Sequence, residues 1–180
     1  MTCALRHWPR PLLLAAGLLA GAARAWAAPT EFDLKAVFLF HFAQFVAWPD
    51  TAFAGPNAPF VIGVAGQDPF GATLANVVRG ESMGGHPLVV QHVDSVAAAR
   101  RCQILYVAPD GDSRFPAQSL AGAPVLTVGE SATFFQSGGI IQFFTDHNHV
   151  RLRVNLTAAR ADSLTISAKL LRVAEVEGAQ

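Results

Sequence analysis

The sequence offers few side chains that could carry out chemistry, and the clearest of them is Ser131. It lies in the segment 129–133 (GESAT), where a predicted strand gives way to a predicted helix. The G-x-S-x-G elbow of α/β-hydrolases places a nucleophilic serine at such a junction, but its second glycine is missing here. A helix N-cap needs only a hydroxyl at this position. We therefore interpret Ser131 as a cap, and a small serine hydrolase with His147 or His149 as its base is the alternative.

Polar pairs occur at two further places. The segment 146–149 (DHNH) contains two imidazoles and a carboxylate, which are zinc ligands only if a turn brings them together. A solvated hairpin turn is the interpretation we favour there. Asp110 and Asp112 follow another predicted strand, at the edge where α/β sheets bind ligands. They form either a paired-carboxylate site or a polar loop, and we favour the loop.

Other catalytic patterns are missing from the sequence. The glycines near residue 84 do not form a G-x-G-x-x-G fingerprint, and no Walker A lysine is found. No group of residues supplies a nucleophile, a base and a side chain that orients the base. We therefore predict a non-enzymatic protein that has neither a metal nor another cofactor.

Basic side chains in the C-terminal third indicate a binding surface. Arg151 and Arg153 alternate with apolar residues, so a strand would project both from one face. This face could bind an acidic ligand or the acidic surface of a partner. The two charges could equally protect a sheet edge against strand pairing. We predict a partner- or ligand-binding surface made of Phe144, Arg151, Arg153, Lys169 and Arg172.

Composition excludes several classes of protein. The chain has 180 residues, of which 52% are hydrophobic, with 13 basic and 13 acidic side chains. Such a length suits one domain, and the apolar fraction is too high for a disordered chain. A formal net charge of zero argues against binding to nucleic acid, which needs a cationic surplus. Two cysteines are too few for a disulfide-built scaffold.

The first 27 residues have the pattern of a secretory signal peptide. Two arginines precede an apolar stretch, and the segment 25–27 (AWA) fits the rule for signal cleavage. Cleavage would leave 28–180 as a single exported domain with Cys102 as its only cysteine. It would remove three arginines and no acid, which leaves 10 basic and 13 acidic residues and a formal charge of −3. We predict a periplasmic location.

Strand-like and helix-like segments alternate along the remaining chain. A nearly all-apolar helix begins at its N-cap Thr30 and ends before Pro49. A second helix begins with Asp68 as N-cap and runs to about Arg79. The other predicted helices span 95–101, 132–136 and 156–161. The predicted strands span 60–65, 87–93, 103–108, 124–128, 140–145 and 150–155. The last predicted segment, 163–173, begins extended and ends helical.

Strands separated by short helices predict an α/β fold. Continuous apolar runs such as 60–65 (FVIGVA) suit a sheet that is covered on both faces. The last two strands enclose a turn and form a hairpin. We expect a three-layer sandwich with a mostly parallel central sheet, an antiparallel edge hairpin and short flanking helices.

The order and spacing of the segments resemble the YfiR-like family of periplasmic regulators. The resemblance covers nearly all of the chain from residue 34 onward. The matching segments are 35–43 (KAVFLFHFA), 45–49 (FVAWP), 68–71 (DPFG), 102–107 (CQILYV), 125–131 (VLTVGES), 138–141 (GGII), 150–156 (VRLRVNL) and 167–171 (SAKLL).

This resemblance implies a regulator that acts by binding. Such a protein would bind and repress the periplasmic part of an inner-membrane diguanylate cyclase, and release by an outer-membrane lipoprotein would raise cyclic-di-GMP and favour biofilm. It implies an α/β fold, a homodimer and no catalytic residues. Relatives with paired cysteines respond to redox state, but with Cys102 alone we expect no such response here. The alternative is an exported sensor that binds a small-molecule effector.

Overall fold

A computed structural model describes residues 29–178 of the protein. The predicted signal peptide, residues 1–27, lies outside the described residues. The helices are α1 (Glu31–Phe45), α2 (Ala72–Val77), α3 (Val96–Ala99), α4 (Ala132–Gln136), α5 (Leu156–Ala161) and α6 (Ala168–Leu171). The strands are β1 (Val46–Ala47), β2 (Phe60–Ala65), β3 (Ser82–Met83), β4 (His86–Val93), β5 (Ile104–Val107), β6 (Leu126–Gly129), β7 (Ile141–Asp146), β8 (His149–Asn155), β9 (Thr165–Ile166) and β10 (Glu175–Glu177).

Eight of these strands form one open sheet in the order β10-β8-β7-β6-β5-β2-β4-β3. The five neighbouring strands β7, β6, β5, β2 and β4 run parallel to one another. Strand β7 pairs antiparallel with β8. The short strands β1 and β9 form a separate antiparallel pair. The predicted fold class is therefore confirmed: an α/β fold with a mostly parallel sheet, an antiparallel pair near one edge and flanking helices.

The central strands are buried because helices cover both faces of the sheet. Every residue of β2 is buried, and so is every residue of β5. One core lies between the sheet and α1, α2, α5 and α6, and a second lies between the sheet and α3 and α4. Gly63 in β2 allows this close packing, since a Cβ atom there would lie 2.7 Å from the Cys102 thiol sulfur.

The first helix begins where its sequence predicts but ends earlier. The Thr30 side chain accepts a hydrogen bond from the Asp33 backbone, and the Asp33 side chain accepts one from the Thr30 backbone, which is a capping box. The helix ends at Phe45 because Val46 adopts an extended conformation and pairs with Ile166 of β9. The predicted end before Pro49 is therefore wrong by three residues.

The predicted start of the second helix is also wrong. Asp68 does not cap α2; its carboxylate accepts a hydrogen bond of 2.8 Å from the backbone N–H of Phe70, which is a local turn. Gly71 then has a φ of +53°, a conformation that glycine adopts at no steric cost, and α2 begins at Ala72. Asp68 is thereby left in a loop after β2 rather than at a helix end.

The hairpin of β7 and β8 matches the predicted one, with a two-residue turn. His147 and Asn148 have φ values of 48° and 61°, as a type I′ turn requires. Outside β8 lies β10, which pairs in parallel with residues 153–155 and was not predicted. Within residues 29–178, no helix combines the length and apolarity that crossing a bilayer requires.

Candidate functional site

A crevice opens at the point where the strand order of the sheet reverses. The chain runs from β2 to β4 on one side of β2 and then crosses back to β5 on the other side. In open α/β sheets, ligands bind outside the carboxyl ends of the strands at such a point. The crevice here has a volume of about 340 Å³. Its lining residues are Phe32, Gln67, Asp68, Pro69, Tyr106, Ala108, Pro109, Asp110 and Glu130.

Three carboxylates in the crevice come from loops that follow three neighbouring parallel strands. Asp68 follows β2, Asp110 follows β5 and Glu130 follows β6. The Asp110 carboxylate accepts the backbone N–H of Gln67 at 3.0 and 3.1 Å, which joins the loops after β2 and β5. Local hydrogen bonds therefore hold the carboxylates in place at the rim of the crevice.

Beneath the crevice, a buried ammonium group is held between two carboxylates. The Nζ atom of Lys35 lies 2.6 Å from Glu31 Oε1 and 2.8 Å from Glu130 Oε1, and the Lys35 side chain is only 3% exposed. The Tyr106 hydroxyl donates a hydrogen bond to the same oxygen of Glu130. Burial and this contact raise the pKa of Tyr106, so its phenol stays protonated. Glu130 is thus fixed by a cation and a neutral donor.

Aromatic rings form the apolar wall of the crevice. Phe70 packs edge-on against Tyr106, with ring centroids 4.8 Å apart, and Phe32 packs edge-on against Phe70 at 6.2 Å. The Lys35 ammonium lies 4.9 Å from the centroid of the Phe32 ring. The crevice therefore combines negative charge with π surfaces, an arrangement that suits a cationic group rather than an anion.

Ser131 is a helix cap, as the sequence predicts. Its hydroxyl accepts the backbone N–H of Phe134 at 2.9 Å and donates a hydrogen bond to Asp112. Gln142 of β7 lies near Ser131, because its side chain donates a hydrogen bond to the backbone carbonyl of Glu130. His147 is five residues further along the hairpin, which is about 16 Å from Gln142 at the spacing of residues in a strand. His149 lies opposite Asp146 at the same end of the hairpin. Neither of the two alternative bases is therefore brought to Ser131.

The segment 146–149 forms the exposed hairpin turn, and His147 pairs with the Asp146 carboxylate at 2.7 Å. Across the part of the chain that is described, no three histidine, cysteine or acidic side chains converge as metal ligands. Asp110 lines the crevice, whereas Asp112 is engaged by Ser131. The two aspartates therefore do not act as a pair.

The predicted arginine pair does project from one face of β8. Phe144 lies opposite Arg151 in the hairpin, and Arg153 lies opposite Gln142. The guanidinium of Arg153 lies 4.9 Å from the Phe144 ring centroid and 3.1 Å from the carboxylate of Glu175 in β10. Arg151 is exposed and forms no ion pair with any residue between 29 and 178. We call Phe144, Arg151 and Arg153 the hairpin face.

Lys169 and Arg172 lie on the other side of the sheet. Leu170 of α6 packs into the same core as Leu152 and Val154, the residues of β8 that alternate with the arginines. Lys169 lines a groove of about 230 Å³ between α1 and α6, which we call the α1–α6 groove. Its other lining residues are Phe38, His41, Phe42, Phe45, Leu170 and Val173. The structure therefore separates Lys169, in this groove, from the hairpin face, and it leaves Arg172 exposed at the end of α6.

Sequence reasoning did not identify the cluster of Lys35, Tyr106 and Glu130. Two signals could have found it. Lys35 is a single charge inside an otherwise apolar helical run, and such a charge needs a buried partner. Asp68, Asp110 and Glu130 also follow three strands that were predicted to be buried and parallel. Because the carboxyl ends of parallel strands meet at one edge of a sheet, these three residues had to lie at the same edge.

Comparison with known proteins identifies related sequences and structures. The family model described as YfiR/HmsC-like matches residues 32–175. A solved structure of a conserved domain protein from Vibrio cholerae O1 biovar El Tor N16961 is similar over 82% of this chain and 60% of that chain, with 15% identity and a TM-score of 0.53. At that identity the likeness shows the fold alone, and this chain spans less than two thirds of that protein.

A second structure has lower similarity. It is the ABC domain in complex with L-Trp from Streptococcus pneumoniae, with 14% identity, a TM-score of 0.44, and coverage of 71% of this chain and 57% of that chain. No curated protein sequence matches the chain.

Proposed function

Since the chain belongs to the YfiR/HmsC-like family, a family of periplasmic regulators, we propose that it represses an inner-membrane diguanylate cyclase. It binds the periplasmic part of that enzyme and has no catalytic step of its own. The observation that carries this proposal is the family match over residues 32–175. Release from the cyclase, by an outer-membrane lipoprotein or by a small effector, raises cyclic-di-GMP and favours biofilm.

The two surfaces that hold the predicted binding residues support a role in protein binding. Arg151 on the hairpin face is exposed beside Phe144, so a partner carboxylate could pair with it. The α1–α6 groove is mostly apolar and has Lys169 at its rim. Both surfaces suit a partner that presents acidic and apolar side chains together.

Charge reversal distinguishes the two surfaces. The assay is the affinity of the purified protein for the periplasmic region of the diguanylate cyclase encoded nearest to it. Arg151→Glu tests the hairpin face, and Lys169→Glu tests the groove. We expect at least a tenfold loss of affinity for the surface in use, because a like charge now faces the acidic partner. The matched control is Arg160→Glu, at an exposed position on α5.

Arg153 is not suited to this test. Its guanidinium is within 4.0 Å of the carboxylates of Glu175 and Glu177, so a glutamate there would face two acids and weaken β10. If neither variant changes the affinity, both surfaces are removed from the proposal. If the unmodified protein binds no diguanylate cyclase of its organism, the proposed function is wrong.

A further inference from the structure

The outer side of α1 is apolar although it faces solvent. Leu34 is 43% exposed and Val37 is 38% exposed, and both belong to the few large apolar side chains that are exposed between residues 29 and 178. The chain from Ala36 to Pro49 contains no aspartate, glutamate, lysine or arginine. A helix that is apolar on every side is normally buried all round. The described chain leaves the outer side of α1 uncovered, so this side is a candidate interface.

The α1–α6 groove lies directly beside these exposed side chains. On α1 it is lined by Phe38, His41, Phe42 and Phe45, and on the other side by Val173, which is 63% exposed. Residues 34, 37, 38, 41 and 45 recur at spacings of three and four, so they share one side of the helix. We call this side of α1, together with the groove, the α1 face. It has projecting apolar side chains at its N-terminal end and a hollow of about 230 Å³ at its C-terminal end.

This shape makes the α1 face complementary to itself. A two-fold axis between Val37 and His41 sets the α1 helices of two copies antiparallel. Leu34 and Val37 of each copy then lie over the groove of the other copy. In a two-fold interface every such contact occurs twice, which is the pattern that closed dimers use.

Charges at the two ends of the α1 face support the same arrangement. Glu31 and Asp33 lie in the first turn of α1, and no basic residue lies in its last turn. Lys169 lies beside the last turn, because the N–H of Ser167 donates a hydrogen bond of 2.8 Å to the carbonyl of Phe45. Lys169 is exposed and forms no ion pair with any residue between 29 and 178. Antiparallel helices place the acidic first turn of one copy near Lys169 of the other.

From the shape and the charges we propose that a second copy of this chain covers the α1 face, in a two-fold dimer with antiparallel α1 helices. The family resemblance implies a homodimer but not the surface through which it forms, and this proposal assigns that surface. An unrelated partner would not require projecting and hollow ends, or acidic and basic ends, on one face. The proposal does not depend on the proposed cyclase partner. A partner on the hairpin face leaves the dimer intact, whereas a partner in the groove has to displace the second copy.

The first test is sedimentation velocity of the exported chain, residues 28–180, over a range of micromolar concentrations. We expect a monomer–dimer equilibrium. Val37→Glu should weaken the dimer at least tenfold, because it buries a carboxylate of each copy near the two-fold axis. The matched control is Ala97→Glu, at an exposed position of α3 on the other side of the sheet, which should leave the equilibrium unchanged. Lys169→Glu should weaken the dimer several-fold, and less at high salt.

Engineered cysteines test the antiparallel orientation without a new charge. In the proposed dimer Val37 of one copy lies opposite His41 of the other. Oxidation of an equal mixture of the Val37→Cys and His41→Cys proteins should therefore give mainly the mixed disulfide, identified by mass spectrometry. The native Cys102 is buried and does not compete. This experiment also decides the question if Val37→Glu fails to fold.

Several results would overturn the proposal: a monomer at every concentration, a dimer that a folded Val37→Glu protein forms as strongly as the wild type, or a statistical mixture of disulfides. A monomer that sediments with phosphatidylglycerol vesicles, and no longer does so after Val37→Glu, would assign the α1 face to a bilayer instead. A monomer that loses affinity for the cyclase's periplasmic region through the same substitution would assign it to that enzyme. Both outcomes would also overturn the dimer.

Discussion

At the scale of single residues, the buried charge of Lys35 stands out against an apolar core. Taking an ammonium out of water is costly unless hydrogen-bonded counter-charges replace the water. Lys35 has two of them, the half-exposed Glu31 and the mostly buried Glu130. The two contacts differ in how much they stabilise the folded protein, because the charge of a carboxylate in contact with solvent is screened and that of a buried one is not.

This difference leads to a prediction about stability. Lys35→Met should lower the free energy of unfolding by roughly 2 kcal/mol, because Glu130 loses its buried cation. Glu31→Gln is the control and should cost only about 0.5 kcal/mol, because it removes the exposed partner alone. Urea denaturation of the two variants measures both values. Equal losses would show that Lys35 is held mainly by packing of its alkyl chain.

Cys102 gives a second prediction at this scale. Burial raises the pKa of its thiol from 9.0 to about 11, against a smaller opposing effect of Arg101, because the thiolate is poorly solvated. At pH 8 the native thiolate fraction is then about 100-fold lower than in the unfolded chain. We expect alkylation by iodoacetamide to be slower in the native protein by at least this factor.

The measurement needs a chain with a single thiol, so Cys3→Ser is included in the protein used. Reaction in 6 M guanidinium chloride gives the unfolded reference rate. Native alkylation within a factor of ten of that rate would show that Cys102 is accessible and reactive, and would reopen the question of redox control.

At the scale of elements, the sequence predicts what local chemistry determines. The N-cap at Thr30, the buried run of β2 and the cap at Ser131 are all confirmed. The errors arise where distant contacts decide. Val46 is extended because β9 pairs with it, and β10 forms by pairing in parallel with residues 153–155 of β8. None of these partners is near in sequence, so a local pattern could not indicate them.

The same distinction applies to the candidate site. Sequence position placed Asp110 at a ligand-binding edge, and the structure puts it in the crevice. Asp68 was assigned to a helix cap because an Asp-Pro pair is typical of a helix start, whereas Gly71 delays the helix. The arginine alternation of β8 predicted one face correctly. It could not show that α6 lies on the opposite side of the sheet.

Two glycines around α4 give a prediction about packing. A Cβ atom at Gly139 would overlap the ring of Phe134, which packs on the core, and one at Gly129 would meet the same ring. Gly139→Ala should therefore destabilise the protein by about 1–3 kcal/mol through overpacking. The control is Gly55→Ala, where no atom lies within 4 Å of the added methyl and the effect should stay within about 0.5 kcal/mol.

Thermal denaturation followed by circular dichroism would measure both glycine variants. Gly139→Ala should have the lower midpoint of the two. A midpoint equal to that of Gly55→Ala would show that the Phe134 ring can move aside, and that the second core is less tightly packed than the structure indicates.

At the scale of the whole molecule, the acids of the crevice and the basic residues of the two predicted binding surfaces belong to different parts of the fold. Uncompensated acids lie at the carboxyl edge of the parallel strands, while Arg151, Lys169 and Arg172 lie exposed on the hairpin face and near the α1–α6 groove. The basic groups lie on opposite faces of the sheet, because Leu170 of α6 packs on the face of β8 that carries Leu152 and Val154. They therefore do not form one continuous basic surface.

The C-terminal strand limits how much positive charge the hairpin face presents. Glu175 and Glu177 both reach the guanidinium of Arg153, and all three side chains are partly exposed. An acidic partner must compete with these two carboxylates. We therefore expect Glu175→Gln/Glu177→Gln to strengthen binding of the cyclase's periplasmic region about 3- to 10-fold, if that partner uses the hairpin face.

The control for this last prediction has to match the change in net charge. Asp50→Asn/Glu81→Gln removes two exposed acids that form no ion pair with Arg153, so it reports the effect of overall charge alone. The increase in affinity caused by Glu175→Gln/Glu177→Gln should be smaller at high salt than at low salt, because the freed Arg153 guanidinium acts through its charge. An affinity equal to that of the control would mean that β10 masks nothing, and that Arg153 serves to anchor the last strand to the sheet.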